Sequence, residues 1–153
     1  MTSDLSLFAH RIPAMSEAAI DAVRHLESES IQEPQVPMRT QHQIHGGIYS
    51  RTVFIPAGHR ITGALVKVPT TLVLQGRVVV FVGDQVVRFD GYHVLAASAG
   101  RKQIFVAETD TYLTMEFATN ARTVEEAERE FTDEYDLLAS HRDDLNAVLI
   151  TGE

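Results

Sequence analysis

No cysteine occurs among the 153 residues, which removes disulfides and thiolate metal ligands as structural devices. No apolar run approaches the roughly 18 residues that a membrane-spanning helix needs. The start, MTSDLSLFAHRI, lacks the basic opening and long apolar stretch of a secretory signal. The expectation is a cytoplasmic protein with no membrane partner. Clustered Lys and Arg are missing as well, and phosphate backbones need them, so nucleic acid is not expected as a partner. No P-loop, G-x-G-x-x-G, G-x-S-x-G or H-E-x-x-H motif is present. The seven histidines show no clustered spacing.

What remains is ordinary for one globular domain, with 44% hydrophobic and 22% charged residues. The net charge of −8 is unevenly placed. Residues 1–122 carry eleven acids and eleven Lys/Arg, whereas residues 123–153 carry ten acids and two Lys/Arg. The C-terminal part therefore holds the whole excess, and a solvated acidic helix face is the simplest reading.

Three segments follow from the periodicity. Residues 1–47 hold a helix over 16–30, with Ser16 as N-cap and Ala19, Val23 and Leu26 at helical spacing, then a connector with Pro34 and Pro37. Residues 48–119 read as about eight short strands: 48–55, 61–68, three runs within 70–89 split at Gly76-Arg77 and Gly83-Asp84-Gln85, then 93–97, 103–107 and 111–119. Ser98 to Arg101 reads as a turn. Such spacing predicts a closed or double-sheet β architecture. Residues 120–153 open with a capping box, Thr123-Val124-Glu125-Glu126, and continue as a helix to about 140. Val124, Ala127, Phe131, Tyr135 and Leu138 form its apolar face. The tail around Leu145, Val148, Leu149 and Ile150 is too apolar to stay in water. It packs either on its own barrel or on a second subunit, and these four residues are the candidate interface.

The Pro56-Ala57-Gly58 turn, Leu72-Val73-Leu74-Gln75-Gly76-Arg77, Gly91-Tyr92-His93 and Ser98-Ala99-Gly100-Arg101-Lys102 resemble the cupins over residues 45–120. The resemblance implies a mainly β, jelly-roll barrel, here with an N-terminal helix, an acidic C-terminal helix and an apolar tail. More narrowly, the chain is similar to small single-domain cupin-like proteins often encoded by bacteriophages and prophages. The family's usual metal is held by an H-x-H pair, a carboxylate and a third histidine. In this sequence the corresponding places hold Val66 and Val68, Thr70 and Thr71, and Gln103. Valine and threonine side chains do not supply that ligand set, so no metal or other cofactor is expected. A divalent transition metal is the alternative, on an atypical set drawn from His42, His45, His93 and Glu108.

His42 and His45 read as loop histidines, His59 as a solvent-facing turn residue, and His93 as a strand histidine that faces the barrel. Glu108 and Glu116 share parity and would face one side of a sheet if no bulge intervenes. The sequence leans away from an enzyme. It favours a non-catalytic cupin-like protein that self-associates, as a homo-oligomer or within a larger assembly. The resemblance makes a virion-associated accessory one form of that reading. The alternative is a small-molecule binder or atypical metal enzyme using the barrel mouth.

Overall fold

A computed structural model describes residues 11–82, 85–141 and 145–153. Strand is the commonest regular structure, and nine strands form one mixed sheet among the described residues. Strands β2 (Thr40–His45) and β3 (Ile48–Ile55) make a hairpin. Gly46 and Gly47, both at positive φ, form its two-residue turn. Strand β3 continues antiparallel onto β8 (Thr111–Ala118), and β8 onto the first half of β5 (Thr70–Val82). The second half of β5 pairs with β7 (Ile104–Ala107), which also takes the short β4 (Arg60–Thr62). Strand β6 (Gln85–Ala97) runs along the whole other side of β5. Two parallel additions finish the sheet: β1 (Arg11–Ile12) on β6 and β9 (Asn146–Ile150) on β2. The class is mainly β, as the strand spacing predicts, but the sheet is not closed. Strands β1 and β9 stand at its two ends.

Alternation puts Tyr49, Arg51, Val53 and Ile55 of β3 inside, with Leu72, Leu74, Val78 and Val80 of β5 beside them. Each fully buried aliphatic side chain of this kind contributes about 1.5–3 kcal/mol.

Helix α1 (Glu17–Ser30) matches the predicted span, and Ser16 Oγ accepts from the Ala19 N–H at 3.1 Å. Its inward stripe differs from the prediction. Val23 is buried, but Leu26 is about half exposed, and the stripe continues instead through the partly buried Glu27 and Ser30. Helix α2 (Val124–Phe131) starts at the predicted cap, where Thr123 Oγ1 accepts from Glu126 N–H. It stops at Phe131 rather than near 140. Thr132 turns extended, with φ −152° and ψ 146°, and two short 3-10 turns follow at Tyr135–Leu137 and Ala139–His141. The break lets the Phe131 carbonyl accept from Lys67 N–H, tying the helix end to the strand region.

Two strand expectations are corrected. Gly76-Arg77 is not a turn, because β5 runs unbroken through it with Gly76 opposite Gly91. Glycine is needed there for space. A Cβ at Gly76 would lie 2.6 Å from Thr111 Oγ1 and 2.8 Å from the Asp110 carbonyl, and its φ is +139°. The second predicted turn falls on Gly83 and Asp84, outside the described residues. The predicted strand 61–68 shrinks to β4 and one bridge at Val66, which pairs with Arg101. That bridge also removes Arg101 from a surface turn and buries it.

Candidate functional site

The open barrel encloses a cavity of about 820 Å³, within the size range of small-molecule sites. Apolar side chains form much of its wall, Val53 from β3, Leu72 from β5, Leu113 and Met115 from β8, Phe105 from β7, with Val66, Phe131 and Leu138, beside the charged Arg51, Arg60 and Glu33. Helix α1 and residues 31–38 contribute the roof, from Arg24 and Glu27 to Val36 and Met38. Ile31, Val36 and Leu137 line the cavity while remaining partly exposed to solvent, which makes an apolar rim.

The roof is fastened by charge. Lys102 is 0% exposed, and its Nζ donates to Glu134 Oε1 at 2.8 Å, to Glu27 Oε2 at 3.2 Å and to the Gly63 carbonyl at 3.0 Å. Glu134 Oε1 also accepts from Leu65 N–H at 2.8 Å. Burial alone would raise the Glu134 carboxyl, but these bonds from Lys102 and Leu65 hold it below the usual value. Arg60 Nη2 adds a bond to Ser30 Oγ at 3.0 Å at the helix end.

A second polar network closes the inner end. Arg51 and Glu128 are both buried, with Nη1 2.9 Å from Oε2. One set of donors satisfies every group. Arg51 Nη1 donates to the Tyr49 hydroxyl at 3.4 Å, and Tyr49 donates to His42 Nδ1 at 2.8 Å. His42 Nε2 then donates to Asn146 Oδ1 at 2.8 Å, and Asn146 Nδ2 to the Ser140 carbonyl at 2.9 Å. Ser140 Oγ donates to Glu128 Oε2, and His141 Nε2 lies 2.8 Å from Glu128 Oε1. Burial lowers the His42 pKa, and the Arg51 and His141 charges add to that against the Asn146 bond and Glu128. Burial would raise Glu128, yet His141, Arg51 and Ser140 together bring it below its ordinary value. The acidic helix face is thus only partly solvated: Glu125 and Glu126 are exposed, and Glu128 points inward.

Two buried residues give the cavity its chemical character. Arg101 is 2% exposed and lines it. Its Nη1 donates to the Ser98 carbonyl at 2.6 Å and its Nη2 to Thr70 Oγ1 at 2.7 Å. Burial pulls its pKa down to about 10, which still leaves it a cation near neutral pH. Gln103, 3% exposed, also lines the cavity, and its Nε2 has no hydrogen-bond partner among the described residues.

The other positions singled out from the sequence do not meet. Val66 lines the cavity and Val68 packs on the core, while Thr70 is engaged by Arg101. His42 and His45 are not in a loop but on β2, with His42 inside and both ring nitrogens in use. His45 is exposed, 2.8 Å from Thr151 Oγ1. His93 is on β6, edge-on to buried Phe89 and bonded to the Asp90 carbonyl. Glu108 sits in the turn after β7, bridged by Arg88 at 2.8 and 3.1 Å, while Glu116 is on β8 near Ser50. The turn breaks the parity expected of the two carboxylates. His59 lines the cavity rather than facing only solvent. Among the described residues no three His, Asp or Glu side chains gather as a ligand set. Leu145, Val148, Leu149 and Ile150 are about half exposed, although β9 pairs with its own β2.

No family model matches the chain, and no curated protein matches it. Similar solved structures include a cupin superfamily protein of Desulfitobacterium hafniense, with 13% identity and a TM-score of 0.47 over 61% of this chain and 87% of that one. The Schizosaccharomyces pombe Cnp3 cupin domain is 19% identical with a TM-score of 0.45, covering 65% of this chain and 75% of that one. A salicylate 1,2-dioxygenase variant from Pseudoaminobacter salicylatoxidans is 15% identical with a TM-score of 0.47, covering 75% of this chain and 35% of that one.

Proposed function

We propose that this chain binds a small, largely apolar organic molecule inside its open barrel. The observation that carries this reading is the 820 Å³ cavity, walled by Val53, Leu72, Phe105, Leu113 and Met115 and entered past an apolar rim. A cavity of that size, apolar with a few buried polar groups, is the usual form of a small-molecule site. Titration with Nile red, a neutral apolar dye, tests it. Saturable binding with a blue-shifted emission is expected, and Leu113→Trp, which fills the cavity, should abolish it. Binding that survives this substitution, or no binding at all, contradicts the reading.

Self-association is the second reading, favoured by β9. Its Ala147-Val148-Leu149-Ile150 run is uncharged, exposed and at the end of the sheet, the kind of edge on which a second copy can add a strand. An assembly or virion role of the kind implied by the sequence resemblance would use the same edge. Light scattering of the native chain and of Val148→Lys tests it. A dimer that becomes a monomer supports the reading, and an unchanged mass contradicts it.

A further inference from the structure

We propose that the ligand of the cavity is an amphiphilic monocarboxylate, its acid group held between Arg101 and Gln103 and its apolar body lying along Val53, Leu72, Leu113 and Met115. This rests on the reading of the cavity as a small-molecule site and names the ligand class.

The argument begins with the three buried cations. Arg51 has Glu128, and Lys102 has Glu27 and Glu134. Arg101 differs: among the described residues no carboxylate is within ion-pair distance, and its two bonds go to neutral oxygens. A guanidinium has five N–H donors, so it retains capacity after those two bonds. Burying a charge without a counter-ion is costly. Two residues further along the chain, Gln103 lines the same cavity, and its amide N–H₂ is buried without a hydrogen-bond partner among the described residues. Lys102, between them, is taken up by Glu27 and Glu134. One carboxylate accepts from both a guanidinium and an amide, with the planar geometry that arginine favours. Charge also selects among anions. The other arginines that line the cavity already have carboxylate partners, Arg24 with Asp21 and Glu134, Arg51 with Glu128 and Arg60 with Glu33, so Arg101 and one neutral donor balance one negative charge, whereas a phosphate dianion would leave charge uncompensated.

Calorimetric titration with decanoate and decanol, which share a tail and differ in charge, tests the assignment. The native chain should bind decanoate at least about tenfold more tightly than decanol, as a charge-assisted pair implies. Gln103→Leu keeps the packing and removes the free amide. It should weaken decanoate about fivefold and leave decanol unchanged. Arg101→Gln, if it folds, should erase the preference for the acid. Equal affinity for the two compounds, or equal loss of both in Gln103→Leu, overturns the carboxylate assignment while leaving the cavity reading intact. So does Nile red binding with no binding of either compound. Failure of all three probes overturns both.

Discussion

His42 Nε2 lies 2.8 Å from Asn146 Oδ1, joining residues 104 positions apart and fastening the first residue of β9 to β2 from the interior side. The ring can make this bond as a donor because its other nitrogen accepts from Tyr49. The strand so held exposes every side chain, so hydrogen bonding rather than apolar burial keeps it in place.

Replacing Asn146 by Ala should therefore loosen β9 before the rest. We expect about 1–2 kcal/mol of lost stability, with faster amide exchange confined to residues 146–150. Exchange that accelerates equally across β3 and β5 would contradict a local latch.

The Arg51–Glu128 pair should show the asymmetry of buried charges. Arg51→Met or Glu128→Gln alone should cost about 3–5 kcal/mol, and the double replacement less than the sum. Urea unfolding of the four proteins measures the coupling. Additive losses would show that the pair acts as two separate groups.

Acid sensitivity should come in two steps. The folded His42 pKa is lowered below 6.5 by burial, so its unfolded form binds the proton first. Stability is full above pH 6.5 and falls as the pH drops from there through the folded value. Glu128 is lowered below 4.5, so its contribution is present above that pH and is lost as the pH falls through its folded value. The urea midpoint against pH should lose its upper step in His42→Gln and have its lower step reduced in Glu128→Gln, with Glu134, lowered in the same direction, supplying the remainder. Retention of the upper step in His42→Gln would assign it to another group.

Much of this fold is legible in the sequence where local chemistry is decisive. Strand β3 alternates over eight residues and has the predicted bounds. The caps at Ser16 and Thr123 are side-chain hydrogen bonds that a few residues determine. Strand β2, TQHQIH, is missed because its buried positions are Thr, His and Ile, which show little apolar alternation. Gly76 reads as a turn because its real constraint is Thr111, distant in sequence. The site is less legible for the same reason. Gln103 stands out only as a missing histidine, and Arg101 reads as a turn residue, because burial of a cation without a counter-ion is a tertiary property.

Gly76→Ala should cost about 2–4 kcal/mol, since it combines a disfavoured φ with a Cβ pressed against backbone. Gly91→Ala meets nothing within 4 Å and carries only the cost of a positive φ, about 1–2 kcal/mol. Thermal unfolding of the two variants compares them, and equal losses would remove the close-packing explanation.

Methyl-detected NMR tests the binding cavity most directly. Adding decanol to protein labelled at Val, Leu and Ile methyls should shift Val53, Leu72 and Leu113 and leave the β9 methyls of Val148, Leu149 and Ile150 in place. Shifts confined to β9, or none at saturating decanol, would contradict the account.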